Sequence, residues 1–148
     1  MARFQSNHAR GILQVPEPLS AGCLCAVRFD YVFTQAFAFA ADQIEIGILP
    51  AFATIHNAVL LGNVGVINNA NVGMMGGIVG DILSANGARV ITANLFAAQS
   101  VNGTVTRSIA LAAFNIAPEP FARSIGVDLS ANVTAGVTSL SLLLHYSM

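Results

Sequence analysis

Period-two alternation of apolar and polar positions governs most of the chain after residue 22. In CLCAVRFDYVFT (23–34), Cys23, Cys25, Val27, Phe29, Tyr31 and Phe33 share one parity. Leu24, Ala26, Arg28, Asp30 and Val32 share the other. An alternation this long, rich in aromatic and β-branched residues, predicts a strand with one face on a core. QIEIGIL (43–49) repeats the pattern, with Ile44, Ile46 and Ile48 set against Glu45 and Gly47. Pro50 ends that strand, and TIHNAVLLGN (54–63) predicts another. In the closing VTSLSLLLHYS (137–147), Leu140, Leu142, Leu144 and Tyr146 oppose Ser139, Ser141, Leu143 and His145.

The middle of the chain is punctuated by glycine. Residues 62–80, GNVGVINNANVGMMGGIVG, hold six of the thirteen Gly, too many for a helix interior. IVGDIL (78–83) and ARVITA (88–93) read as short strands joined at Asn86-Gly87, the best hairpin signal present. Asn102-Gly103, between FAAQSV and TVTRSI, is a weaker one. SIALAAFN (108–115), the APEP break (117–120) and RSIGVDLS (123–130) follow. Helix signals are poor, the best being TQAFAFAAD (34–42) and LFAAQS (95–100). LSAN (83–86), ITAN (91–94) and LSAN (129–132) echo one another as strands running into Asx turns, too briefly for a repeat architecture.

About eight short strands, with turn signals every ten or so residues, predict an all-β fold: an antiparallel β-sandwich or barrel, jelly-roll-like. Residues 1–22 stand apart. Pro16 and Pro18 exclude regular helix and central strand, so an extended N-terminal arm is expected, followed by a single sandwich domain over 23–148.

The run QIEIGILPAFATIHNAVLLG (43–62) has the length of a bilayer span but not its character. Glu45, His56 and Asn57 lie inside it, where polar groups are costly in lipid. Pro50 divides it into two pieces of strand length. The second piece is nearly apolar on both faces, like a strand covered on both sides, and another protein chain is the cover expected. A membrane β-barrel would need longer strands of about 9–11 residues with lipid-facing girdles.

Composition turns this toward assembly. Charged residues make up 9% of the chain, against about 25% in a typical soluble domain. There is no Lys, and all six positive charges are Arg, which tolerates desolvation at interfaces better. Six Arg opposed by seven acids form no basic stripe, so no nucleic-acid partner is expected. Cys23 and Cys25 are poorly spaced for a disulfide along one strand face and read as small buried hydrophobes. No apolar segment precedes Cys23 as a signal peptide would require.

Candidate chemistry is sparse. His56 and His145 with Asp30 or Asp128 are conceivable metal ligands, but no H-x-H or HExxH spacing supports them. GMMGGIVG (73–80) lacks the Lys-Ser or Lys-Thr of a phosphate loop. No G-x-S-x-G elbow occurs, and no spacing favours a pair of acids for glycoside chemistry. The expectation is no enzyme, no metal and no cofactor. A sugar-binding platform would have to use Tyr31 with Asp30 or Tyr146 with His145.

The layout of a polar arm, CAVRFDYVFT, DQIEIGILPAFATIHNAVLLGN, a Gly/Asn-rich middle and RSIGVDLS-ANVTAG-VTSLSLLLHY resembles small structural proteins of tailed-bacteriophage virions. Most of all it resembles the capsid decoration, or cement, proteins. The likeness spans roughly residues 23–146 and rests on layout and composition, not on a diagnostic motif. It implies a sandwich, made in the host cytoplasm, that binds the outside of an icosahedral shell. It also implies a partner in the major capsid protein and a homodimer or homotrimer. Arg3, Arg10 and Arg28 would then meet acidic groups of the coat. The competing expectations are a glycan-binding or adhesive sandwich and another β-rich virion part, such as a tail or fibre component.

Overall fold

A computed structural model of the chain describes residues 3–16, 22–39, 41–64, 68–81, 89–107, 115–136 and 138–148. Among the described residues there are nine strands: β1 (Arg3–Gln5), β2 (Cys25–Val32), β3 (Gln43–Leu49), β4 (Thr54–Asn63), β5 (Asn69–Met75), β6 (Ile91–Ser100), β7 (Asn102–Arg107), β8 (Arg123–Leu129) and β9 (Ser139–Ser147). They form a five-stranded sheet, in the order β1-β3-β8-β5-β6, and a four-stranded sheet, in the order β2-β9-β4-β7. Among the described strands every pairing is antiparallel except β1 with β3. The fold is an all-β sandwich. Both sheets feed one core, with Phe29, Leu60, Leu142 and Tyr146 from the smaller sheet meeting Ile44, Val72, Ile125 and Val127 from the larger.

The alternation in the sequence sets the faces. In β2, Val27, Phe29 and Tyr31 are buried while Ala26, Arg28, Asp30 and Val32 are exposed. In β9, Leu140, Leu142, Leu144 and Tyr146 are completely buried. β3 departs from the expected phase. A bulge between Glu45 and Gly47 puts Ile46 outside the pairing, so Gly47 opposes Ile125 and Ile48 opposes Ser124. Gly47 thereby turns to the core. A Cβ there would lie 2.6 Å from the Phe29 ring, so the two sheets approach closely because this residue has no side chain.

Pro50 divides the long apolar run as expected, and its halves enter different sheets: β3 the larger and β4 the smaller. Among the described residues no helix is long and apolar enough to cross a membrane. In β4 the residues facing away from the core include Val59, which is buried, and Asn57 and Leu61, which are half-buried.

As the poor helix signals implied, the described residues of 34–42 and 95–100 form no helix. Phe37 makes an isolated bridge with Val133, and 95–100 lies within β6. Asn102-Gly103 is not a hairpin turn. β6 and β7 belong to different sheets, and the chain changes sheet at the buried Val101. There the Val101 N–H donates to Asn68 O (3.2 Å) and its carbonyl accepts from Val64 N–H (3.1 Å). Gly103 takes a φ of 67° just past that crossing, a region glycine enters without steric cost. The Asn86-Gly87 signal and most of 108–115 lie outside the described residues.

Candidate interaction surface

The N-terminal segment is built onto the sandwich edge. Arg3, Phe4 and Gln5 pair in parallel with Gln43, Ile44 and Glu45. The Ser6 N–H then donates to the Glu45 carbonyl (3.0 Å), and its hydroxyl donates to the Ile46 carbonyl. A turn follows, with Arg10 N–H donating to Ser6 O (3.0 Å) and Gly11 at a φ of 71°. His8 meets Phe29 edge-on, ring centres 4.9 Å apart. Further along, the Tyr146 hydroxyl donates to the Pro16 carbonyl.

This edge gathers two of the three arginines singled out in the sequence. Arg10 is exposed and lines a recess of about 710 Å³ together with Gln5, Asn7, Asp30, Val32 and Gln35. Arg28, on β2, places its Nε 2.7 Å from Asp30 Oδ1 and donates to Ser141 Oγ at 3.2 Å. The Ser141 hydroxyl in turn donates to Asp30. Both charged side chains are more than half exposed, so this pair contributes little to stability. Arg3 is the first residue of β1.

Glu45, read as an outward residue, does turn away from the core but is not in solvent. Its Oε1 lies 3.2 Å from Arg89 Nη1, and both side chains are about 2% exposed or less. Oε1 also accepts from the Gly80 N–H (3.0 Å) and the Ser124 hydroxyl, and Oε2 accepts from Gln5 Nε2 (2.5 Å). This buried polar knot fastens β1, β3, β8 and the segment around Arg89. No local motif foretold it; Arg89 falls in ARVITA, which reads only as a short strand.

The conceivable metal set is dispersed. His56 Nε2 contacts Ser147 Oγ at 2.7 Å, and His145 Nδ1 contacts Asn57 Nδ2 at 3.3 Å, both on the outer face of the smaller sheet. Asp128 lies on the larger sheet, where burial pushes its carboxyl up and a Gln43 hydrogen bond acts the other way. Among the described residues no three His, Cys, Asp or Glu gather as metal ligands.

The two tyrosines that a sugar platform would need are both buried. Tyr31 and Tyr146 have inward parity and are 7% and 0% exposed, so neither ring is offered to a ligand. Burial raises the Tyr31 phenol to about 12, with Asp42 adding to the shift. Cys23 is exposed and Cys25 half-buried, not the buried pair expected.

Sequence reasoning missed the loop aromatics. Phe52 and Phe121 are 62% and 58% exposed. Each follows a proline closely, Pro50 and Pro120, and that neighbourhood was the available signal: an aromatic in a turn has no strand face to hide on.

The described surface thus offers a strand edge, exposed loop aromatics and a recess, features suited to protein contact. No protein-family model and no curated protein sequence matches the chain. Among solved structures, a chain of the capsid of Ralstonia phage GP4 is similar at 34% identity and a TM-score of 0.84. The match covers 99% of this chain and 98% of that one. A chain of the cyanophage Pam1 capsid asymmetric unit shares the fold at 14% identity and a TM-score of 0.54, with 92% of each chain covered.

The chain is therefore a structural component of the phage-capsid class. It belongs to the same family as the Ralstonia phage GP4 capsid chain.

Proposed function

We propose that this protein is a decoration, or cement, protein: it binds the outer surface of an icosahedral phage capsid and ties neighbouring major capsid subunits together. It acts as a dimer or trimer, with no cofactor and no enzymatic activity. The observation that carries the reading is kinship along nearly the full length of both chains with a component of an assembled capsid. The sandwich closes its own core, so the chain has the form of a unit that adds to a shell. Its charge content of 9% suits large contacts in which few ions must be desolvated. Arg3, Arg10 and Arg28 are the proposed partners of acidic coat groups. Arg10 is exposed and open to such a contact, whereas Arg28 would have to exchange or share Asp30.

The test is reconstitution. Purified protein is added to shells stripped of it, and occupancy and shell melting are measured. Saturable binding on the outer surface with a raised shell melting temperature is expected. Bare shells at micromolar protein would rule the reading out.

A further inference from the structure

Six of the large apolar side chains left exposed stand at one end of the sandwich. Leu24 immediately precedes β2, and Met148 follows β9, its carbonyl accepting from the Gly22 N–H at 3.0 Å. Phe52 lies in the β3–β4 connection and Phe121 two residues before β8, whose Arg123 pairs with Leu49 at the end of β3. Val90 accepts from the Gly76 N–H (3.0 Å) where β5 gives way to β6, and Ile78 lies just beyond Gly76. Strand direction puts Leu24, Phe52, Val90, Phe121 and Met148 at the same end, and Ile78 follows two residues after Gly76 there. They are 36% (Met148) to 75% (Ile78) exposed.

Large apolar side chains exposed to these fractions offer on the order of several hundred Å², counted residue by residue. A standard interface buries about 800 Å² per partner. The area therefore suits one specific protein contact.

Phe52 adds an independent sign. Its φ is 59°, a left-handed conformation rare for a bulky residue. Its N–H donates to Glu119 O at 2.7 Å, which fixes the turn, and the ring points into solvent. Such strain is retained at places that contact a partner more often than elsewhere. The charged groups nearby are of opposite sign, Arg123 lying in the field of Glu119. Arg123 Nη2 also donates to Ala117 O (2.9 Å), so this guanidinium is held by its own chain.

We infer that the end of the sandwich carrying Leu24, Phe52, Ile78, Val90, Phe121 and Met148 seats in an apolar, weakly charged groove of a neighbouring capsid protein. This rests on the decoration reading. Kinship with a chain of an assembled capsid makes another capsid component, and not solvent or lipid, the occupant. Phe52 and Phe121 are the central anchors, as aromatics usually are in interfaces.

The experiment uses the full chain and stripped shells. Phe52→Gly removes the ring and relieves the φ strain, so it leaves the fold intact. Phe121→Ser removes the second ring. Phe39→Ser, at the opposite end and 55% exposed, is the control. Thermal melting of each free variant checks folding.

Phe52→Gly and Phe121→Ser should each weaken shell binding at least tenfold, while Phe39→Ser binds as the unmodified protein does. Equal binding by all three overturns the assignment. So does a fall in oligomeric state in the Phe52 and Phe121 variants with unchanged shell affinity, which would make a second copy of this chain the occupant. If the unmodified protein leaves the shells bare, the decoration reading falls and this assignment falls with it.

Discussion

Glu45 and Arg89 form an ion pair on the side of the larger sheet that faces away from the core, 3.2 Å apart, with both side chains almost wholly enclosed. Arg89 also donates from Nε to Gly76 O (3.0 Å) and from Nη2 to the Ser124 hydroxyl. Ser124 shares the same carboxylate. Such a pair adds little over an apolar replacement of both partners, but removing one partner strands the other in a poorly solvated place.

Arg89→Met should therefore destabilise the protein by about 3–5 kcal/mol. The double variant Glu45→Leu/Arg89→Met should lose clearly less. Urea unfolding of the two variants measures the difference. A double variant as weak as the single one would mean that the bonds to Ser124, Gly80 and Gln5 matter more than the charge pairing.

Three glycines test how tightly the layers meet. A Cβ at Gly73 would strike the Ala93 backbone carbonyl of the neighbouring strand, which cannot move without breaking the β5–β6 pairing. At Gly47 it would meet the Phe29 ring at 2.6 Å. At Gly126 it would meet Met75, a flexible side chain. The expected order of destabilisation is Gly73→Ala, then Gly47→Ala, then Gly126→Ala, with the middle one costing about 1–3 kcal/mol. Phe29→Leu should partly rescue Gly47→Ala and leave Gly73→Ala unrescued, as read from melting temperatures.

Asp128 is held above the usual carboxylate range by burial, with the Gln43 hydrogen bond opposing. A carboxyl with a raised folded-state pKa favours folding most when protonated, so its contribution declines as pH rises through that pKa. Asp128→Asn should then raise the melting temperature at pH 7. The gain should shrink toward pH 3, where both forms are neutral.

His8 shifts the opposite way. Burial lowers its pKa below 6.5, and Asp30 pulls it back up. For a base with a lowered folded-state pKa, the full contribution is present above the unfolded value and is lost as pH falls through 6.5 toward the folded value. Acidification from pH 7 to 5 should loosen the turn at residues 7–11, seen as faster amide exchange there. Asp30→Asn should move the NMR titration midpoint of His8 lower still; an unchanged midpoint would remove Asp30 as a cause.

The sequence displayed the strands of the smaller sheet most clearly. Phe29 and Tyr31 in β2, and Leu140 to Tyr146 in β9, alternate because one face meets the core and the other does not. It was less legible in β3. The period-two reading of Ile44, Ile46 and Ile48 fails there because one bulge shifts every later residue to the other face. Asn102-Gly103 misled for a similar reason. A glycine at positive φ serves a sheet crossing as well as a hairpin, and only long-range pairing tells them apart. The burial of Arg89 was invisible because its partner stands 44 positions away, at Glu45. Of the surface arginines, the sequence could name Arg28 but not that Asp30, two residues on, already answers its charge.

The position of β9 has a consequence for the order of assembly. It lies between β2 and β4, pairing along both, yet it is synthesised after every other strand. β2 pairs with it across more than a hundred residues, Arg28 opposite Leu143. On the ribosome, β2 and β4 must therefore wait without their shared neighbour until residues 139–147 emerge. Contacts this distant make folding slow. The smaller sheet closes in one late step, and a chain cut short before β9 has no route to it.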